Sequence, residues 1–270
     1  MVKKAFQKHM VKYNFSGKTV LITGGSSGIG LATAEKFLES GAEVIILSRN
    51  PERNLITRSE KVFFIPMDLN DPRSVEQAFD ILEEKHTVVD IAVNSAAADS
   101  GVGKPLHLFS EEEFDSTVNV NLKGLWLCMK KQIQWMLATP ERKTSIINLS
   151  SVNGLGGIEN GSIYAATKAA VLGLTKSAAL ELADSNISVN AVVPGAFDTP
   201  LLEKAMLAQS GGDKSKLTSV RDKYEAVIPK QRLGDPSEVA SLILWLASGE
   251  AEYLIGHSII IDGGMSSRFR

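Results

Sequence analysis

Cysteine is nearly absent from this 270-residue chain, with Cys128 standing alone. An intrachain disulfide is therefore excluded, and within the apolar run Leu125 to Met129 the thiol reads as a small buried hydrophobe. Histidine is scarce: His9, His86, His107 and His257 are scattered without ligand spacing, so no metal site is expected. No apolar stretch approaches the roughly 18 residues of a membrane span. Neither sign of charge prevails, with 29 Lys and Arg against 31 Asp and Glu, so nothing argues for nucleic acid or an anionic membrane as partner. The basic start MVKKAFQKHMVKY has no apolar core and no small-residue cleavage site, which speaks against a secretory signal. Residues 1–14 read as a flexible leader, and the cytoplasm is the expected compartment.

Hydrophobic residues make up 44% and charged residues 22%, enough to build a large core without staples. Short apolar runs alternate with helical stretches. Val20 to Ile22, Val44 to Leu47, Val62 to Ile65, Val88 to Val93, Ser145 to Leu149, Ile187 to Val192 and Ser258 to Ile261 read as strands. Most are apolar throughout, as strands covered on both faces must be. Helices are expected from Gly28 to Ser40, after the Asp71-Pro72 start, from the Ser110–Glu113 capping box to about Ala138, from Ser162 to Ala183, and after Asp235-Pro236-Ser237-Glu238. The expected fold is α/β, a Rossmann-type doubly wound parallel sheet of about seven strands with helices on both faces, as one domain over residues 1–270. From Phe197 to Lys230 the chain is polar and longer than an ordinary connection, which predicts a surface excursion with its own helices, read as a substrate loop and a candidate lid over a site.

The turn Thr23-Gly24-Gly25-Ser26-Ser27-Gly28-Ile29-Gly30 follows the first strand and opens the first helix. Glycines there let the backbone approach a pyrophosphate, and the helix start offers free N–H groups and a positive dipole end. Further on, Tyr164 and Lys168 stand four apart, on one face of a helix. A nearby ammonium favours the phenolate and brings a tyrosine closer to acid–base work at neutral pH.

The spacing TGxxxGxG together with YxxxK resembles the short-chain dehydrogenase/reductase family, from about Phe15 to Gly264. The resemblance implies an NAD(P)-dependent oxidoreductase that moves a hydride between nicotinamide and a carbonyl or secondary alcohol. It implies catalytic roles for Asn121, Ser151, Tyr164 and Lys168: Tyr164 exchanges the proton, and Lys168 lowers its pKa and binds the ribose. Ser151, thirteen residues before Tyr164, steadies the substrate oxygen, with Ser150 as its rival. Asn121 would hold a water in a proton relay.

Cofactor contacts are implied for Thr23, Gly24, Ser26, Ser27, Gly28, Ile29 and Gly30, then for Ser48, Arg49, Asp68 and Leu69. They continue through Asn94, Ser95 and Ala96, Tyr164 and Lys168, and Pro194, Gly195, Phe197 and Thr199. Ser48 stands where the family's NAD enzymes carry Asp, and Arg49 can pair with a 2′-phosphate, so NADP(H) is expected ahead of NAD(H). Asp68 reads equally well as a helix-flanking cap. Ser95 and Ala97 depart from the family's Asn-Asn-Ala-Gly, as His257 and Ile255 depart from its usual Gln or Glu and Thr. Arg232-Leu233-Gly234 and Asp262-Gly263-Gly264 match its C-terminal signatures, the latter better read as structural.

Val152, Leu155, Phe197, Leu201 and Leu202 could wall an apolar pocket, or simply pack. A homotetramer is expected on the resemblance alone, as is a small carbonyl or alcohol as substrate. Within enzymes the alternatives are a 3-oxoacyl-(acyl-carrier-protein) reductase and a sugar epimerase or dehydratase. The alternative of another class is a non-catalytic NADP-binding sensor or scaffold.

Overall fold

The computed structural model describes residues 12–50, 59–85, 88–98 and 100–267. Seven strands form one sheet: β1 (Thr19–Thr23), β2 (Glu43–Ser48), β3 (Val62–Pro66), β4 (Ile91–Asn94), β5 (Thr144–Leu149), β6 (Ile187–Pro194) and β7 (Ser258–Ile261). Their order is β3-β2-β1-β4-β5-β6-β7, and every pairing is parallel. The connections are made by α1 (Gly28–Glu39), α2 (Pro72–Glu84), α3 (Glu111–Val118), α4 (Leu125–Leu137), α5 (Ser162–Glu181), α6 (Pro200–Gln209), α7 (Leu217–Val227) and α8 (Pro236–Ala247).

Alternation along the strands divides the core into two layers. Leu21, Ile45 and Ala92 face α2, α4 and α5, meeting Phe79, Met129 and Val171. Val20, Ile22, Val44 and Ile46 face α1 and α8, meeting Phe37 and Ile243. Phe37 and Phe79 are fully buried, each contributing roughly 1.5–3 kcal/mol of transfer free energy. Cys128 lies in the first layer, where burial pushes its thiol up to about 12. It is inert packing.

Local signals set several helix starts. Asp71 accepts from the Arg73 N–H, and Ser110 and Asp235 each complete a capping box with Glu113 and Glu238. Such caps satisfy helix N–H groups that have no partner within the helix. Arg232 reaches Glu238 through both terminal nitrogens at 2.8 Å. That pairing holds the Glu238 carboxyl down at about 2.

Three expectations shift. β4 begins at Ile91 rather than Val88, because Asp90 serves as an anchor: its carboxylate accepts from Lys18, Arg142 and the Thr19 N–H. The long helix expected to about Ala138 is broken by a π-turn at Asn119–Gly124, whose wider winding brings Asn121 inward. The packed chain starts before residue 14: Tyr13 lies 6.3 Å from Phe15, whose ring meets Phe37 edge-on at 4.9 Å. The 197–230 excursion consists of α6 and α7 joined by a short 3-10 turn, tied by Arg221 to Asp198 and Glu225 and by Gln209 to Tyr224. The rest of the leader and the Arg268-Phe269-Arg270 tail lie outside the described residues.

Candidate active site

Parallel pairing brings the carboxyl ends of the strands to one edge. Thr23 is level with Leu47 and Asn94, Asn94 with Asn148, and Leu149 with Val192. Thr23, Ser48, Asn94, Ser151 and Pro194 lie on or just past those ends.

The glycine turn is shaped by close approach. A Cβ on Gly30 would run into the Gly24 carbonyl, and one on Gly24, whose φ is +69°, would lie 2.7 Å from the Ala96 Cα. Only bare backbone fits. Across this cradle Thr23 receives Ser95 and Ala96 at 3.3 Å each, through its carbonyl and hydroxyl. The Ser26 and Ser48 hydroxyls share a hydrogen bond. Thr199, the N-cap of α6, stands against Gly28. Ser27 precedes α1 in an extended conformation, and no side chain caps that end. The first N–H groups of α1 are thus left to a ligand, and an anion such as a pyrophosphate suits them. The residues present fit a dinucleotide.

The tyrosine and lysine share one face of α5. Lys168 is 3% exposed; its ammonium donates to the Leu149 carbonyl at 2.9 Å and lies 5.7 Å from the centre of the Tyr164 ring. Burial pulls its pKa down to about 8. The two serines separate. The Ser150 hydroxyl donates to the Lys168 carbonyl at 2.7 Å, a structural tie between β5 and α5. Ser151 accepts from the Asn153 N–H at 3.2 Å, which leaves its own proton uncommitted by that bond. Asn121 is buried and closes on Ala98, accepting at 2.7 Å and donating at 3.2 Å.

Other candidates fall differently. The Asn94 side chain is 2% exposed and bonded to Gln132 and Asn148, so only its backbone can face a cofactor. Asn148 continues to Thr175 at 2.9 Å. This internal amide cluster was missed in the sequence, and only the apolar setting of its members hints at it. The Phe197 ring is buried against Gly234 and belongs to the core, not to a pocket wall. Asp68 caps its own turn, accepting from Asn70 at 2.9 Å, while Leu69 is buried. Gly195 lies under Asp262, next to Pro194 at the end of β6. Asp262 accepts from Gly264 and Ser266, the structural use expected of that turn. Ile29 accepts the Thr33 hydroxyl at 2.7 Å, and Arg49 is exposed.

A seven-stranded parallel sheet with an uncapped glycine turn at its carboxyl edge defines a Rossmann-type dinucleotide-binding protein. Residues 24–266 match the family model described as enoyl-(acyl carrier protein) reductase. The chain is 38% identical over 257 residues to the 3-oxoacyl-(acyl-carrier-protein) reductase of Thermotoga maritima, covering 92% of this chain and 98% of that protein. The aldohexose dehydrogenase of Thermoplasma acidophilum superposes with a TM-score of 0.85 at 36% identity, covering 95% of this chain and 98% of that one. An actinorhodin polyketide ketoreductase with NADPH superposes at 0.85 and 27% identity, covering 93% and 98%. The chain belongs to the short-chain dehydrogenase/reductase family and is an NAD(P)-dependent oxidoreductase. No helix among the described residues is long and apolar enough to cross a membrane.

Proposed function

We propose that this enzyme moves a hydride between NADP(H) and a small carbonyl or secondary alcohol, with Tyr164 as general acid and base. The observation that carries the reading is the buried Lys168 ammonium beside the Tyr164 ring. A positive charge there favours the phenolate and lowers the tyrosine pKa. A bound nicotinamide supplies or accepts the hydride. In reduction Tyr164 gives its proton to the substrate oxygen, which Ser151 steadies as charge develops. Asn121 holds the segment at Ala98 beside them. Oxidation reverses each proton movement.

Thr23 to Gly30 and Gly195 to Thr199 hold the cofactor in this reading, with Ser48 and Arg49 at the adenosine end. The lack of a carboxylate at Ser48 and the exposed Arg49 guanidinium favour NADP(H) over NAD(H); the ketoreductase relative with NADPH supports the same choice. One domain acts as a cytoplasmic homotetramer, without nucleic acid or membrane. A carrier-protein thioester is the second substrate reading, favoured by the likeness to the Thermotoga maritima reductase.

The test is NADPH and NADH consumption against a panel of ketones, aldehydes and 3-oxoacyl thioesters, with Tyr164→Phe beside the parent chain. Turnover should be found with NADPH. Loss of about 10³-fold in kcat is expected for Tyr164→Phe, within the span of general acid–base contributions, with cofactor binding retained. Cofactor binding without turnover on any substrate would overturn the reading and favour a sensor.

A further inference from the structure

Tyr164 is held at both of its backbone polar atoms. Its N–H donates to the Gly101 carbonyl at 3.4 Å, a long contact. Its carbonyl accepts the Thr167 hydroxyl at 2.8 Å. That hydroxyl has one proton, so its oxygen accepts from Asn121 Nδ2, at 3.3 Å. The second Nδ2 proton goes to the Ala98 carbonyl, and the Asn121 Oδ1 accepts from the Ala98 N–H. Ala98 and Gly101 follow β4, on the segment that borders the glycine cradle through Ala96. A continuous polar path thus runs from that segment through the π-turn to the tyrosine.

The pairing is buried throughout, with Thr167 2% and Asn121 1% exposed. A hydroxyl bonded back to a carbonyl one turn earlier is common in helices and by itself means little. The amide makes the difference. Without the Thr167 oxygen, one buried N–H of Asn121 loses this acceptor, and an unsatisfied buried donor forces its surroundings to shift. The shift falls on Ala98 on one side and on the Tyr164 peptide on the other. Gly101 tightens the same joint: a Cβ there would lie 2.8 Å from the Tyr164 nitrogen.

We propose that Thr167 is a positioning residue for the reaction, setting Tyr164 against the cofactor-facing segment by orienting the Asn121 amide. The proposal rests on the reading of Tyr164 as acid and base. Thr167→Val keeps the shape and removes the hydroxyl; Thr167→Ser keeps the hydroxyl. The measurements are kcat and substrate KM in NADPH-dependent reduction, NADPH binding by fluorescence, and the melting temperature. Thr167→Val should lower kcat about tenfold or more, since small misplacements of reacting groups are costly, with NADPH binding within about twofold of the parent. Thr167→Ser should recover kcat to within about twofold. Should Thr167→Val not fold, Thr167→Ala takes its place. Undiminished kcat without the hydroxyl, equal losses in the Ser variant, or NADPH binding that falls in step with kcat would overturn the proposal. Tyr164→Phe measured alongside separates the two claims. Turnover surviving there sinks the tyrosine reading; turnover lost there but kept in Thr167→Val sinks only the role of Thr167.

Discussion

The hydroxyls of Ser26 and Ser48 meet at 2.6 Å, joining the glycine turn to the end of β2. The contact places the residue that would read the adenosine ribose against the loop that would hold the pyrophosphate. A carboxylate introduced at Ser48 would therefore arrive beside a hydroxyl able to orient it. Ser48→Asp should move the ratio of kcat/KM for NADPH over NADH toward NADH by at least about tenfold, one 1.4 kcal/mol step. Arg49→Asp with Ser48→Ala should weaken NADPH more than NADH. Equal losses with both cofactors would reject the assignment.

Lys168 ties function to stability with a definite sign. Its pKa in the fold is about 8, against an ordinary 10.5. Below pH 8 folded and unfolded chains both carry the proton, and the full cost of burying the charge is present. Between pH 8 and 10.5 the folded chain releases the proton first, and the cost is relieved. Lys168→Met should abolish turnover yet stabilise the free enzyme at pH 7 by on the order of 1–2 kcal/mol, the lost bond to Leu149 offsetting part of the gain. Urea unfolding at pH 7 and pH 10 checks this. An advantage that does not shrink at the higher pH would refute the assignment.

The neighbouring serines should part company. Ser151→Ala should cost roughly 10²-fold in kcat, the loss of one oxyanion partner, with little change in unfolding. Ser150→Ala removes a buried bond to Lys168 and should cost about 1 kcal/mol of stability with a much smaller effect on kcat. Paired kinetics and thermal melts decide, and the reverse pattern would exchange the two roles.

Gly30→Ala puts a methyl group into the Gly24 carbonyl. The cradle must open for it, so cofactor affinity should fall by about tenfold or more, and the melting temperature with it. Calorimetric titration of the purified variant with NADPH gives the answer. Unchanged affinity would mean that the cradle does not hold the cofactor.

Much of this was legible from residue order. The apolar runs marked each strand because helices cover both faces, and the caps at Asp71, Ser110 and Asp235 act through local atoms only. The glycine turn and the Tyr164–Lys168 spacing were legible for the same reason. The rest depends on partners remote in sequence. Nothing near Asn94 tells that Gln132 and Asn148 will consume its amide. Nothing near Asn119–Gly124 in sequence tells that the helix will widen there or that Asn121 will close on Ala98. What sets Ser150 apart from Ser151 in the proposed mechanism is its bond to the Lys168 carbonyl, across the packing of β5 on α5.

Helix α7 is tied to the chain just ahead of α6 in part by the exposed pair of Arg221 with Asp198, while the tyrosine, the lysine and the glycine cradle are anchored in the interior. Exposed ion pairs of this sort contribute little to stability. Changes of sequence at that pair should therefore cost the fold little, and leave the bonds around Lys168 and Tyr164 as they are.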